Sequence, residues 1–271
     1  MSTSSCRVPE TSRATNLSVT RGACQPVSRV VSPDINHGLL ATDLSAKEVD
    51  ARIRKSGYSM TEVVRPYAVT TVRIRQQGYI QQGSAPNFGG GLITLCTCKH
   101  QMRGNYGIEE WNAGAWVVGL TSMSESATGE QNLYYLMRVF QAYESHADLV
   151  TGLTSLNFGD AIAAKDSRSH DLGDVMMPLK SGLCGANRFI PALYYPPMLG
   201  HAHRQPKHLD YWHKDIDYVG RANRPPLLVG DPSLSFVWTR PVVRRRNPQP
   251  IRDYENWTLG RLLAELTEVL I

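Results

Sequence analysis

This sequence has no apolar run near the roughly 18–20 residues that a membrane-spanning helix requires, and its first twenty residues lack the continuous apolar segment of a secretory signal. Neither a bilayer span nor export by that route is expected, and a cytoplasmic protein with no membrane partner is. Cysteine is scarce. Five residues at positions 6, 24, 96, 98 and 184 form an odd set without regular spacing, which excludes a disulfide framework and predicts free thiols. Neither G-x-x-x-x-G-K-S/T nor a helix-opening G-x-G-x-x-G is present, so a nucleotide P-loop and a dinucleotide-binding turn are excluded. No internal repeat is visible. What remains is ordinary for a globular chain: 271 residues, 42% hydrophobic and 20% charged, enough for one large domain or two small ones.

Charge is unevenly distributed. Between Glu109 and Asp174 there are ten Asp/Glu against three Lys/Arg, and between Cys184 and Arg252 eleven Lys/Arg against four Asp. A basic segment of this kind attracts polyanions; alternatively the two halves neutralise each other across one surface.

Residues 1–40 are rich in Ser, Thr, Arg and Pro and read as a flexible arm. Ser45-Ala-Lys-Glu48 is a capping box that predicts a helix over 46–56, stopped at Gly57. Strands are predicted over 67–75, 92–98 and Ala115–Thr121, with short strands at 227–230 and 235–238; Leu133–Phe140 reads as a strand or, by period alone, a helix. Residues 76–91 read as a loop, and 151–212 as a long irregular stretch of the kind that often carries function. The chain closes in a helix capped by Asn256, with Leu259, Leu262, Leu263, Leu266, Val269 and Leu270 on one face.

The densest chemistry lies in SAPNFGGGLITLCTCKHQMRG, residues 84–104. Gly89, Gly90 and Gly91 let a backbone approach an anion or a ring closely, or form a wide turn feeding a strand. In an extended chain Cys96, Cys98 and His100 share one face. Zinc could then recruit Cys184 or one of His201, His203, His208 and His213. The spacing is neither a C-x₂-C knuckle nor a zincin pair, so no metal is expected and the thiols read as small core residues. A pocket for a base accounts for more of the stretch. Asn87 offers a donor and an acceptor to a base edge. Lys99, His100 and Arg103 supply charge, and Trp116, Tyr134 or Tyr135 supplies a stacking ring.

These blocks resemble the nucleotide modification associated domains of the second type, a family linked to DNA base hypermodification. Ala85-Pro86-Asn87-Phe88-Gly89-Gly90 is similar to that family's glycine turn. Thr94-Leu95-Cys96-Thr97-Cys98-Lys99-His100-Gln101-Met102-Arg103 is similar to its cysteine-lysine segment, Gly114–Gly119 to its tryptophan strand, Tyr135–Val139 to its next strand, and Gly173-Asp174-Val175-Met176 to a later element. The likeness spans roughly 70–240. Ala115 replaces an aspartate, His100 a proline, and Val175 an asparagine of the family pattern. A looser likeness is to the PUA-like group (EVE, YTH and ASCH domains), curved barrels that read modified or flipped bases.

The resemblance implies an α+β fold with a PUA-like, strongly curved β-barrel core and N- and C-terminal helices, in which 41–271 forms one domain. It implies recognition or processing of a modified base or nucleotide in DNA, in base hypermodification or phage defence. The expected base site comprises Asn87, Gly89, Gly90, Thr94, Cys96, Cys98, Lys99, Arg103 and Trp116. The expected backbone contacts are Arg240, Arg244, Arg245 and Arg246. DNA or a nucleotide is the expected partner, with no cofactor. Two alternatives stand beside this: a nucleotide-processing transferase or hydrolase with His100 and Asp174 as acid and base and Arg103 on phosphate, and a protein-interaction module with a basic surface.

Overall fold

The computed structural model describes residues 29–30, 40–75, 78–198, 212–220, 224–252 and 255–269. The arm expected over 1–40 therefore lies almost wholly outside the described residues, as do His201, His203 and His208. The strands are β1 (Arg29–Val30), β2 (Ala41–Thr42), β3 (Val63–Val69), β4 (Val72–Arg75), β5 (Gly78–Gln81), β6 (Thr94–Leu95), β7 (Trp116–Thr121), β8 (Leu133–Tyr143), β9 (Leu227–Val237), β10 (Val243–Arg245), β11 (Trp257–Thr258) and β12 (Leu266–Glu268). The helices are α1 (Ala46–Lys55), α2 (His100–Gly104), α3 (Ile108–Asn112), α4 (His146–Ser155), α5 (Gly159–Lys165), α6 (His213–Gly220) and α7 (Leu259–Glu265).

The expected barrel is not formed. The main sheet has seven strands in the order β11-β3-β7-β8-β9-β2, with β6 on β9, and it is open. β3 and β7 run parallel, while β7–β8 and β8–β9 are antiparallel. Closure would require β11 to meet β2 or β6. Instead these three, of two residues each, end the sheet as short edges, one way natural sheets avoid edge-to-edge pairing. β7 is buried at all six positions, as expected of a strand covered on both faces. Helices α3 and α4 pack on β8, and α7 packs on β3. The mixed α+β character holds; the PUA-like topology does not.

Local signals succeeded where side chains and backbone agree. Ser45 and Glu48 form both bonds of the capping box, α1 runs from Ala46 to Lys55, and Gly57 takes φ +80° just beyond it. Where the prediction failed, tertiary pairing decided. The 67–75 segment breaks at Thr70-Thr71 into β3 of the main sheet and β4 of a small sheet ordered β1-β5-β4. The two short strands after 227 are one strand, β9, whose irregularity at Asp231-Pro232-Ser233 is held by the Ser233 amide donating to Asp231 at 2.8 Å. Residues 151–212 include the end of α4 and all of α5. The last helix begins after Thr258, whose hydroxyl accepts from the Arg261 amide, and ends at Glu265. Leu266, still buried in the core, then takes an extended backbone and starts β12 against β10.

Candidate functional site

Backbone amides of Asn87 and Thr94 each donate to the other's carbonyl at 2.9 Å, which closes the glycine loop between them. Gly90 and Gly91 take φ of +67° and +75°, backbone that L side chains rarely adopt. A Cβ on Gly90 would overlap the Cα of Ala161 in α5, and one on Gly89 would crowd the Ala164 carbonyl. The glycines are therefore spent on letting a helix approach a loop, not on cradling an anion. Asn87 is buried and its amide is engaged. Nδ2 donates to the Leu172 carbonyl at 2.7 Å, and Oδ1 accepts from the Gly89 amide at 2.8 Å and from Lys165 Nζ at 3.0 Å.

Lys165 anchors this inner cluster. Wholly buried at the end of α5, its ammonium also donates to the Asn87 carbonyl at 3.0 Å and the Leu92 carbonyl at 2.8 Å. Burial pushes its pKa down to about 8, against the pull of Asp174 and Cys96. A parallel bridge between Asp166 and Val175 brings Asp174 alongside. Asp174 is buried, and its Oδ1 accepts from the Thr94 hydroxyl at 2.9 Å. Burial raises its pKa, while Lys165, Thr94 and Cys96 hold it back. Burial likewise pushes the Cys96 thiol well up. Arg103, also wholly buried, is a clamp for carbonyls. Its guanidinium donates to Cys98 at 2.8 Å, Cys96 at 3.0 Å, Pro226 at 2.6 Å and Pro225 at 3.3 Å. The structure thus brings Asn87, Gly89, Gly90, Thr94, Cys96 and Arg103 together around one turn, with Asp174 beside them. However, it gathers them in the interior, with polar groups turned on each other rather than on a ligand.

The next residues reach the surface. Lys99 takes the left-handed conformation (φ +58°) and starts α2, so the strand-like alternation of Cys96, Cys98 and His100 ends there. Its Nζ lies 5.1 Å from the ring centroid of Tyr67, whose hydroxyl accepts from Tyr135 at 2.9 Å. The His100 side chain is 25% exposed, and its Nε2 is 3.6 Å from Oδ1 of the buried Asp215. Its ring lies 4.0 Å, centroid to centroid, from Tyr218, the planes tilted by 33°. Asp215 and Tyr218 sit three apart on α6, hence on one face. His100 therefore meets Asp215 where Asp174 was expected. Cys98 is half-buried and free, and burial, then Asp215, raise its thiol pKa. This favours the protonated thiol over a nucleophilic thiolate. Among the described residues no group of three or more His, Cys, Asp or Glu could hold a metal.

The remaining expected residues lie apart. Trp116 is wholly buried in β7, donates to Glu62 at 2.8 Å and meets Tyr58 edge-on. The arginines do not form one exposed strip. Arg245 is buried, bonded to Glu265 and Gln131 at 2.7 Å each; Arg244 pairs with Glu130; Arg240 lies 3.8 Å from Asp43. Arg246 is exposed and donates to the Leu266 carbonyl at 3.4 Å. A cavity of about 290 Å³ opens at the α2–α3 turn, lined by Tyr106, Glu144 and Arg224 among others.

Sequence reasoning missed Lys165, Asp215 and Tyr218. For Lys165 a signal existed: it stands four residues after Ala161 and three after Ile162, on the apolar stripe of a short helix, where an ammonium needs buried partners. Nothing in the sequence tied Asp215 and Tyr218 to His100, more than a hundred residues away. Comparison with protein-family models, curated proteins and solved structures gives no match for this chain.

Proposed function

We propose that this chain recognises a base or nucleotide of DNA at the shelf made by Lys99, His100 and Tyr218. The observation that carries the reading is the part-exposed His100 ring, lying on Tyr218 with the Asp215 carboxylate behind it. Stacked rings at a surface offer a π face on which a base can lie. An imidazole beside a carboxylate is an oriented donor for a base edge or phosphate. Lys99, one residue earlier, adds a cation. Lys99 and His100 also lie in the segment that resembles the base-modification family, which supports DNA as the source of the base. The buried Asn87, Arg103 and Trp116 act in this reading as the frame of the shelf, not as its contacts.

The His100–Asp215 contact favours a second reading, in which the same shelf processes the nucleotide with His100 as acid or base and Asp215 orienting it. Both readings are tested by fluorescence anisotropy with labelled single-stranded DNA and with free nucleotides. His100→Ala is expected to weaken binding by about 5- to 150-fold, the worth of one stacking contact, with the fold intact by circular dichroism. Wild-type protein that binds neither ligand at low salt, or a variant that binds equally well, contradicts the shelf. Conversion of the nucleotide by wild type but not by Asp215→Asn selects the second reading.

A further inference from the structure

The cavity at the α2–α3 turn stands one helical turn from the shelf. His100 and Gly104, four residues apart on α2, share a face. Gly104 lines the cavity, about 6 Å from His100 along the helix axis at roughly 1.5 Å per residue. At about 290 Å³ the cavity lies near the lower end of ligand pockets, ~300 Å³. Most of its walls are held from behind. The Arg65 guanidinium stacks on Tyr106, 3.0 Å from the ring centroid, and the Tyr106 hydroxyl donates to Asn256 at 3.0 Å. Arg103 ties Pro226 to α2 by donating to its carbonyl at 2.6 Å. Arg188 holds Oε2 of Glu144. Arg224, which also lines the cavity, is the exception. It is exposed, and among the described residues its guanidinium has no hydrogen bond, ion pair or ring contact. Its φ of +31° belongs to a region that residues other than glycine rarely take and that recurs at ligand clamps.

We propose that this cavity takes a second nucleotide, the neighbour in a single strand of the one on the shelf; the inference rests on the shelf reading. A groove that follows a strand sets cations against its phosphates and leaves its bases to aromatic and polar walls. Arg224 meets the phosphate joining the two nucleotides in a charge-assisted contact. Glu144 keeps one carboxylate oxygen, Oε1, outside its bond to Arg188, and that oxygen accepts from an exocyclic amine of the second base. Cytosine carries such an amine and thymine does not, so the cavity favours cytosine over thymine. Tyr106, fixed by Arg65 and Asn256, is the aromatic wall of the site. Walls already held in place lower the cost of ordering the site when the strand arrives.

The test is isothermal titration calorimetry of the full chain at low salt with dTMP and with the dinucleotides TpT, TpC and CpT. TpT is expected to bind more tightly than dTMP, and the better of TpC and CpT about tenfold more tightly than TpT, the lower bound for a hydrogen bond to a charged group. Arg224→Ala should remove the advantage of TpT over dTMP, and Glu144→Ala the advantage of cytosine, each with the fold intact by circular dichroism. His100→Ala should weaken dTMP and the dinucleotides alike. If dTMP binds and loses affinity in His100→Ala, yet no dinucleotide binds more tightly, the cavity is overturned and the shelf stands. A dinucleotide advantage that survives both Arg224→Ala and Glu144→Ala places the second nucleotide elsewhere and also overturns the proposal. No binding of dTMP or any dinucleotide overturns the shelf and the cavity together.

Discussion

Arg103→Met separates a structural arginine from a ligand-binding one. The side chain is wholly buried, and its guanidinium donates to four carbonyls from two distant parts of the chain: Cys96 and Cys98 before α2, Pro225 and Pro226 before β9. Methionine preserves much of the volume and removes every donor. Hydrogen bonds from a charged group contribute about 1.5–3 kcal/mol each when their loss leaves a partner unsatisfied. The four share one guanidinium, and the contact at 3.3 Å is weak. Removing the buried cation also relieves its own desolvation. The net loss should therefore resemble that of breaking a buried polar network, about 3–5 kcal/mol, rather than the sum of four bonds. Urea unfolding followed by tryptophan fluorescence reads this directly, because Trp111 Nε1 donates to the Arg103 carbonyl at 3.0 Å. A variant within about 1 kcal/mol of wild type that nonetheless loses affinity for DNA or nucleotide would refute the clamp and restore Arg103 as a phosphate ligand.

Three further outcomes are expected. Gly90→Ala should cost about 2–4 kcal/mol, combining left-handed strain with overpacking against Ala161, whereas Gly57→Ala, at φ +80° with open space around it, should cost only the strain; equal losses in thermal melts would show that α5 does not press on the loop. Burial raises the pKa of Tyr67, Tyr79, Tyr134 and Tyr135, so each stabilises the fold fully below the unfolded value of about 10, and that contribution is lost as pH rises further. Stability measured by urea titration should fall above pH 10 by up to about 1.4 kcal/mol per pH unit for each, and Tyr134→Phe should reduce that slope; a flat profile to pH 11.5 would contradict the buried tyrosine cluster. Arg245→Ala should destabilise by about 1–3 kcal/mol, since buried Gln131 loses its charged donor while Glu265 keeps Arg261, whereas exposed Arg246→Ala stays within about 0.5 kcal/mol; similar unfolding midpoints for the two would contradict their different burial.

What the sequence made legible was local. The Ser45–Glu48 box, the break at Gly57 and the apolar runs of β7 and β8 follow from side-chain chemistry within a few residues, and each was found. Sheet closure was not legible, because it depends on which edges meet across the whole chain, and among the described residues β11 and β2 meet no further strand of that sheet. At the site, the residue types in 84–104 were recognised and do converge, but burial reversed their meaning. Asn87 and Arg103 look like ligand contacts until Lys165 and the carbonyls before β9 take up their hydrogen-bonding groups. His100, expected to work with Asp174, instead finds its carboxylate on α6, a pairing that no spacing in the sequence encodes.

The most direct test of the shelf is a histidine-selective NMR titration of the full chain, following the His100 ring as a nucleotide or short single-stranded DNA is added. Assignment comes from the signal missing in His100→Gln. The His100 resonance should shift progressively with ligand, and the shift should weaken when Lys99 is changed to Ala. A His100 signal that stays fixed while the ligand binds elsewhere on the protein would contradict the proposed site.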